Sequence, residues 1–426
     1  MSREMKKYFR RLPREIRSLI ALAKNVSDEI KMPAYLVGGF PRDLILGLKD
    51  WDLDITVEGN GIKFAENLAR KSGAGLIRHE RFGTATLILD HHLKVDIATT
   101  RKEIYPHHAS LPVVSPGCLR GDLLRRDFTI NAMAVSISDG VGQKLIDLFG
   151  GESDLASGKI RVLHDLSFKD DPTRILRAIR FKERYKFKIE PSTLRLLKEA
   201  IKDGLLEKVN PHRMRDELVL MFKEKDPSAQ LRQLYALGGL YFISNKLKPN
   251  KRTYDLFKSV NQEVSWFMRN IPLHKQFDVW LIYLAALLKQ LSLSQVRRII
   301  RSLGLSKQEE NKIVSCCKIN QKLIARLKNR QIKPAQVFAL LEPLSYEAII
   351  LLRSISQDSV FKKHIADFLK VYNVVRLSIS GDDLYDLGVL PGPRYQKILS
   401  MVMTAKLNGK AGNRQQELDL VRKIIR

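Results

Sequence analysis

Two aspartates one residue apart, Asp52 and Asp54 in the stretch WDLDITV, are the residues of this sequence best placed to do chemistry. Polar and apolar residues alternate strictly here, and alternate side chains of a strand share a face, so both carboxylates lie beside Thr56 with an apolar face behind them. Two carboxylates this close repel each other unless a cation lies between them or one takes up a proton. Hard oxygen ligands suit Mg²⁺. The pair indicates a metal site, although solvated charge at a sheet edge explains it equally well.

A third carboxylate, Asp96, lies in a second alternating stretch, LKVDIAT, where it again faces away from the apolar residues. Three carboxylates on adjacent strands can hold two metal ions, an arrangement that activates a hydroxyl group and stabilises a leaving pyrophosphate. The three carboxylates are therefore compatible with a metal site of this kind, and solvated charge at a sheet edge stays the alternative.

The pair Gly38–Gly39 precedes these carboxylates and separates the apolar stretch AYLV from FPRDLILGL, which is typical of a short helix. A backbone without Cβ atoms can approach a phosphate closely, and Arg42 can neutralise it. Neither the dinucleotide-binding G-x-G-x-x-G pattern nor a Walker loop is present in the sequence. We therefore expect a phosphate site just upstream of the carboxylates.

A basic helix is predicted at DDPTRILRAIRF, beginning at Asp171–Pro172 and presenting Arg174, Arg177 and Arg180 on roughly one face. One interpretation is a helix that packs against solvent or RNA. A sharper one starts from base edges, because cytosine and adenine each offer an amino donor beside a ring-nitrogen acceptor. A carboxylate that accepts and a guanidinium that donates therefore suit both bases and neither uracil nor guanine.

The elements that position these residues change character along the chain. From about Tyr35 to Ile137, the strand-like stretches YLVGG, WDLDITVEG, ATLILD and LKVDIAT alternate with helical ones such as GIKFAENLARKSG. After about Asp170 long amphipathic segments follow and no further alternating strand is evident. The longest apolar run, Val279 to Leu288, is well short of the ~18 residues of a membrane-spanning helix and predicts a buried one.

Charge and cysteine content narrow the class of protein. The 426 residues carry 74 Lys and Arg against 46 Asp and Glu, a formal net charge of +28. This excess favours a polyanionic partner such as nucleic acid, although a generally basic proteome produces the same balance. Cys118, Cys316 and Cys317 form no C-x-x-C spacing, which argues against a zinc site or a disulfide framework and favours a cytoplasmic protein.

Three blocks, LVGGFPRDLILGLKDWDLDITVEG, RRDFTINAMA and DDPTRILRAIRF, occur in this order. Together they resemble the signature of the class II tRNA nucleotidyltransferase and bacterial poly(A) polymerase family, within the polymerase β-like superfamily. The resemblance implies an α+β protein, with a nucleotidyltransferase head of mixed sheet and helices followed by an all-helical neck, body and tail. The implied bounds are 1–150 for the head (with a helical extension over about 1–30), 151–225 for the neck, 226–345 for the body and 346–426 for the tail.

The resemblance also implies roles for individual residues. The catalytic and metal-binding group comprises Asp52, Asp54 and Asp96, the last of them a general base, with two Mg²⁺ ions. The nucleotide-binding group comprises Gly39 and Arg42; Arg126, Asp127 and Asn131 for the ribose and triphosphate; Asp171 and Arg174 for the base; and Arg177 and Arg180 as support or phosphate contacts. Phe40, Pro41 and Asp170 depart from the family pattern without removing a catalytic group.

The expected function is template-independent addition of all or part of the 3′-terminal CCA of tRNA, from CTP and ATP. The expected partners are the acceptor and TψC arms of tRNA, with no membrane and no evident protein partner. A poly(A) polymerase shares every catalytic residue but often carries an extended basic tail, which this sequence lacks. A non-catalytic RNA-binding protein is disfavoured by the intact carboxylates. The segment from Arg297 to Lys333 holds eleven Lys and Arg and is expected to follow an RNA backbone. The sequence PGP at 391–393 favours the A-adding form.

Overall fold

The structure, a computed structural model, describes residues 5–49, 51–89, 93–137, 144–271 and 276–425. It divides into two compact units, Met1–Glu217 with Ala236–Gly239, and Leu218–Tyr235 with Leu240–Arg426. The four domains expected from the resemblance stay a prediction.

The first unit contains the strands of the described chain. They are β1 (Ala34–Val37), β2 (Leu53–Val57), β3 (Gly75–His79), β4 (Thr84–Ile88), β5 (Lys94–Thr99), β6 (Arg101–Ile104), β7 (Val113–Pro116), β8 (Met133–Ser136), β9 (Leu145–Asp147), β10 (Lys159–Ile160) and β11 (Lys188–Ile189). Its helices are α1 (Lys6–Phe9), α2 (Arg14–Ile30), α3 (Gly39–Leu46), α4 (Gly61–Ser72), α5 (Leu119–Leu124), α6 (Gly151–Ala156), α7 (Ser167–Asp170), α8 (Thr173–Tyr185), α9 (Pro191–Lys202) and most of α10 (Pro211–Phe222).

The main sheet is mixed, as predicted, with the strand order β3-β4-β5-β2-β1-β8-β9. The pairing of β2 with β5 is parallel, and the other neighbours are antiparallel. Apolar side chains of β2 and β5 are buried on one face, where α4 packs against both strands. This burial leaves the opposite face of β2 and β5 to carry polar side chains at alternate positions.

Two small sheets accompany the main one. Strands β6 and β7 form an antiparallel hairpin, and β10 and β11 form a parallel pair of two residues each. The second pair lies in the segment expected to be an all-helical neck, where strands of two residues are too short to leave an alternating pattern in the sequence.

The described residues of the second unit form helices joined by turns and loops, with no strand among them, as predicted. Its helices are α11 (Pro227–Ala236), α12 (Lys251–Asn270), α13 (Val279–Leu288), α14 (Leu293–Ser302), α15 (Lys307–Cys317), α16 (Gln321–Lys328), α17 (Pro334–Leu341), α18 (Tyr346–Ser354), α19 (Ser359–Lys370), α20 (Gly381–Asp386), α21 (Pro393–Leu407) and α22 (Arg414–Ile425). Helix α13 is buried along Trp280–Leu288, as its apolar run predicts, and packs against α12, α15 and α18. Side-chain capping boxes at Asn250, Ser292, Ser306 and Ser380 fix the starts of four of these helices.

Over the described residues, no single helix is long and apolar enough to cross a membrane. Helices α17 and α18 together are long and apolar enough, but they are sharply bent relative to each other. All three cysteines are free, with Cys316 buried. The cytoplasmic location stays a prediction.

Candidate active site

The glycine turn is built around Gly38, which caps α3 and has φ 70° and ψ −128°. This positive φ suits glycine, and the space around it requires glycine as well. A Cβ at this position would lie 2.9 Å from Oδ2 of Asp54 and 3.1 Å from Nη1 of Arg126. The turn therefore brings bare backbone against Asp54, a predicted metal ligand, and Arg126, a predicted triphosphate ligand.

The three predicted catalytic carboxylates lie close enough to influence one another. Asp54 and Asp96 are direct partners in the parallel ladder of β2 and β5, and Asp52 immediately precedes β2. Burial, followed by the charges of Asp52 and Asp96, raises the pKa of Asp54 to about 6, against an opposing effect of Arg126. Asp96 also accepts a hydrogen bond of 2.6 Å from the hydroxyl of Thr86 on β4. The structure thus collects negative charge at one place on the polar face of the sheet.

This charge is what a divalent cation would offset, and the donors are all carboxylate oxygens, the type that Mg²⁺ prefers. Among the described residues, no group of three or more His, Cys, Asp or Glu side chains has the arrangement needed to hold a metal ion. The residues therefore fit Mg²⁺ by chemistry and proximity, and their role as ligands stays a prediction.

Arg126 lies between two acidic groups. Its Nη2 donates to Oδ2 of Asp122 at 2.9 Å, and its charge lowers the pKa of Asp54. Its Nε is buried and has no hydrogen-bond partner among the described residues. A buried donor without a partner is costly, so this nitrogen is a candidate contact for a ligand oxygen.

Asp122 was not predicted from the sequence. It is fully buried on α5 and accepts from Arg125 at 2.7 Å as well as from Arg126. Burial would raise the pKa of Asp122, but the two arginines outweigh burial and lower it. The available signal was local, because Asp122 stands three and four residues before the two arginines on one helical face.

Four of the predicted nucleotide-binding residues form one continuous hydrogen-bonded chain. Arg42 is buried and donates to Asp43 through Nε and Nη2, at 2.8 and 2.7 Å, and through Nη1 to Asn131. Asn131 donates to Asp127 at 2.9 Å, and Asp127 accepts from Arg177 through Nε at 2.8 Å and Nη2 at 2.7 Å. Burial would raise the pKa of Asp127, but Arg177 and Asn131 lower it to about 2. The charge of Arg42 is thus already balanced inside the protein, and its contact with a nucleotide stays a prediction.

Helix α8 is not the solvated basic helix of the simpler interpretation. Arg174 and Arg180 are buried, and Arg177 is half-buried. Arg177 and Arg180 donate to opposite oxygens of Glu217 on α10, at 3.2 and 3.4 Å. Arg180 also lies over the ring of Phe181, 4.9 Å from its centroid. A buried row of arginines held by fixed acceptors is suited to recognising a ligand inside the protein.

Asp171 and Arg174, the predicted base-reading residues, hold different partners. Oδ1 of Asp171 accepts from the backbone N–H and the hydroxyl of Thr173, the first residue of α8, and its Oδ2 accepts from Arg213 at 2.7 Å. Arg174 donates to the hydroxyl of Ser167 at 2.6 Å and to the carbonyl oxygen of Arg125 at 2.7 Å. The expected helix start is present. The partner of Asp171, which the pattern suggested was Arg174, is Arg213.

Solved structures and family models identify the fold. A CCA-adding enzyme in an apo form is 33% identical to this chain and superimposes with a TM-score of 0.81, covering 100% of this chain and 99% of that one. The chain belongs to the class II tRNA nucleotidyltransferase family. The family model described as poly A polymerase head domain matches residues 34–161, and the model described as probable RNA and SrmB-binding site of polymerase A matches 186–247.

Two relatives bear on what such chains do. A Thermotoga maritima CCA-adding enzyme solved in complex with tRNA is 32% identical, with a TM-score of 0.75 and full coverage of both chains. An A-adding tRNA nucleotidyltransferase of Geobacter sulfurreducens is 36% identical over 416 residues, 96% of this chain. The chain spans only 47% of the length of that second relative.

Proposed function

We propose that this protein is a Mg²⁺-dependent nucleotidyltransferase that adds all or part of the 3′-terminal CCA to tRNA from CTP and ATP, releasing pyrophosphate. The observation that carries the proposal is the meeting of Asp54 and Asp96 across β2 and β5, beside the bare turn at Gly38 and the guanidinium of Arg126. Carboxylates for metal, a backbone turn for phosphate and an arginine for charge are the parts that nucleotidyl transfer requires.

In this proposal Asp52, Asp54 and Asp96 hold two Mg²⁺ ions, which when bound supply charge stabilisation to the attacking and leaving oxygens. Asp96 takes the role of general base that the resemblance implies and accepts the proton of the tRNA 3′-hydroxyl; its exposed carboxylate is compatible with that role. Thr86, donating to Oδ1 of Asp96, fixes the direction of that carboxylate.

The triphosphate is placed against the turn at Gly38–Gly39, with Arg126 offering its unpartnered Nε. Arg42, Asp127 and Asn131 lie behind this position and act together, since each holds the next through a buried hydrogen bond. Binding by such a preformed group costs little reordering of side chains.

The base is placed at the start of α8, where Asp171 accepts from its amino group and Arg174 donates to its ring nitrogen. Arg174 lies on α8, which is buried along much of its length, and it is anchored at two points. Asp171 lies two residues before α8 begins. Selection of C and A then rests on protein side chains, without a nucleic-acid template.

The tRNA is bound by the basic residues of the second unit. Of the eleven Lys and Arg between Arg297 and Lys333, all except Lys312 are exposed, and Lys312 pairs with Asp278 and Glu347. Exposed cations along α14, α15 and α16 suit a phosphate backbone. The similarity to a relative solved with tRNA supports the same choice of partner.

The test uses three forms of one tRNA, ending at the discriminator base, at C and at CC, each with single nucleotides. Addition of C to the first two and A to the third indicates full CCA synthesis. Addition of A to the CC end alone indicates the A-adding form, which the name of the Geobacter relative favours. Extension of an unstructured RNA by A as readily as of tRNA would favour a poly(A) polymerase, and no addition to any substrate would refute the proposal.

A further inference from the structure

The guanidinium of Arg42 lies against the glycine turn at which the triphosphate is placed. A Cβ on Gly39 would be 2.9 Å from Nη2 of Arg42, so the missing side chain is what allows this close approach. Arg42 uses three of its five N–H groups inside the protein, two on Asp43 and one on Asn131. One N–H on each terminal nitrogen is left for a ligand at the turn.

Two aromatic rings of α8 lie beside this guanidinium. Cζ of Arg42 is 4.9 Å from the ring centroid of Tyr185 and 5.4 Å from that of Phe181. The two rings stack on each other, with centroids 5.9 Å apart and planes at 22°, because they stand four residues apart on one helical face. A cation within about 6 Å of a ring face is attracted to it, more strongly where water is excluded, and Arg42 is buried. Helix α8 therefore holds an arginine of α3 within the same compact unit.

Tyr185 contacts both members of the ion pair that Arg42 forms with Asp43. Besides its ring contact with Arg42, its hydroxyl donates to Oδ1 of Asp43 at 3.4 Å, which is long for a bond between two oxygens. Burial raises the pKa of Tyr185 to about 12, so the hydroxyl keeps its proton at neutral pH. The ring is thus the stronger of the two contacts. Phe181 also lies near two further arginines of α8, so Tyr185 is the ring whose replacement tests the contact with Arg42 more selectively.

We propose that Tyr185 is a positioning residue for the triphosphate of the incoming nucleotide, because its ring holds the guanidinium of Arg42 against the turn at Gly39. This role rests on the proposed function, in which Arg42 serves the triphosphate at that turn. Tyr185 is the last residue of α8, whereas Arg174 is the second. The effect of Tyr185 therefore falls on the triphosphate, which all nucleotides share, and not on the choice of base.

The test compares Tyr185→Leu, which removes the ring, with Tyr185→Phe, which keeps the ring and removes the hydroxyl. Phe187→Leu is the matched control, because Phe187 packs against Tyr185 with centroids 5.6 Å apart, while the rings beside Arg42 are those of Phe181 and Tyr185. The measured quantities are kcat and KM for each nucleotide on a tRNA end that the wild type extends. The Kd of the same nucleotide, from equilibrium dialysis without tRNA, adds a readout that needs no turnover.

We expect Tyr185→Leu to raise both KM and Kd about tenfold, the order of a lost contact between a buried cation and a ring. The rise should be equal for ATP and CTP and should leave kcat nearly unchanged, as for an interaction made equally in the ground state and the transition state. Tyr185→Phe and Phe187→Leu should stay within twofold of the wild type. If Tyr185→Leu does not fold, pentafluorophenylalanine at position 185 keeps the shape of the ring and reverses the charge of its face. A KM above that of Tyr185→Phe then supports the inference, and an equal KM refutes it.

Other outcomes separate this inference from the proposed function. A wild-type KM in Tyr185→Leu, alongside a raised KM in Arg42→Gln, refutes the inference and leaves the proposed function standing. The same holds if Phe187→Leu raises KM as much as Tyr185→Leu does, since general packing then explains the effect, or if Tyr185→Leu changes the preference for ATP and CTP over UTP and GTP. A wild-type protein that adds neither C nor A to any tRNA end refutes both.

Discussion

Substitution of Gly38 by alanine tests the arrangement of the site at a single atom. The added Cβ would lie 2.9 Å from Oδ2 of Asp54, where ordinary contacts begin at 3.4 Å, and 3.1 Å from Nη1 of Arg126. The carboxylate of Asp54 must therefore move away by about 0.5 Å, the difference between 2.9 Å and 3.4 Å. The backbone cannot relieve the contact cheaply, because φ is 70° and ψ is −128°.

The expected effect has two parts. Backbone strain at a conformation unfavourable to alanine costs about 1–3 kcal/mol of the free energy of unfolding. A misplacement of ~1 Å at a reacting centre costs about a hundredfold in rate, so a shift of half that size at Asp54 should lower kcat about tenfold. Gly38→Ala should therefore lose both stability and turnover.

Gly47→Ala is the control, since Gly47 ends the same helix with φ 71° and ψ 23°, and no heavy atom of the described chain lies within 4 Å of its added Cβ. Urea denaturation measures the strain in each variant, and single-nucleotide addition at saturating substrate measures kcat. We expect both variants to lose stability and only Gly38→Ala to lose turnover. Turnover in Gly38→Ala within twofold of that in Gly47→Ala would show that the glycine turn does not position Asp54.

Three further outcomes are expected. Asp52→Ala or Asp54→Ala abolishes nucleotide addition while tRNA binding in a filter assay persists, and near-normal turnover in either variant would remove the metal assignment. Binding of tRNA weakens steeply with salt, and a minihelix of the acceptor and TψC arms is a substrate; loss of addition on removing the anticodon arm would contradict this mode of docking. Glu190 caps the N-terminus of α9. Burial would raise the pKa of its carboxyl group, but hydrogen bonds from Ser192 and Thr193 outweigh burial and lower this pKa from 4.5 to about 2. Its contribution is therefore present above pH 4.5 and lost as pH falls toward 2, so Glu190→Ala should cost about 1 kcal/mol at pH 7 and progressively less in urea titrations from pH 4.5 downward.

Much of the site's framework follows from local patterns. Alternation in WDLDITV and LKVDIAT predicts β2 and β5, and the burial of Leu53 and Ile55 confirms which face of β2 is apolar. Thr56 shows where alternation stops being sufficient. Thr56 was expected on the same polar face of β2 as Asp52 and Asp54, and its side chain is nevertheless buried. Alternation predicts which face a side chain is on, but it does not predict whether other parts of the chain cover that face.

The partners of the charged residues could not be predicted in the same way. An arginine every third residue indicates a helical face, but nothing local shows that Glu217 will meet Arg177 and Arg180, or that Arg213 will meet Asp171. These pairs form between elements separated by about forty residues, and ion-pair partners depend on how the helices pack. Asp122 and Asp43 are intermediate cases, since each stands within four residues of the arginine that it binds.

The parallel pairing of Asp54 with Asp96 also constrains how chains of this kind can change in length. The ladder between β2 and β5 sets this match, independently of the number of residues that connect the two strands. Insertions and deletions in the connections around α4, β3 and β4 can therefore accumulate without separating the carboxylates. A single residue gained or lost inside β2 would turn Asp54 toward the apolar layer beneath the sheet. We therefore expect related chains to differ in length in the segments that connect β2 with β5, and not within these two strands.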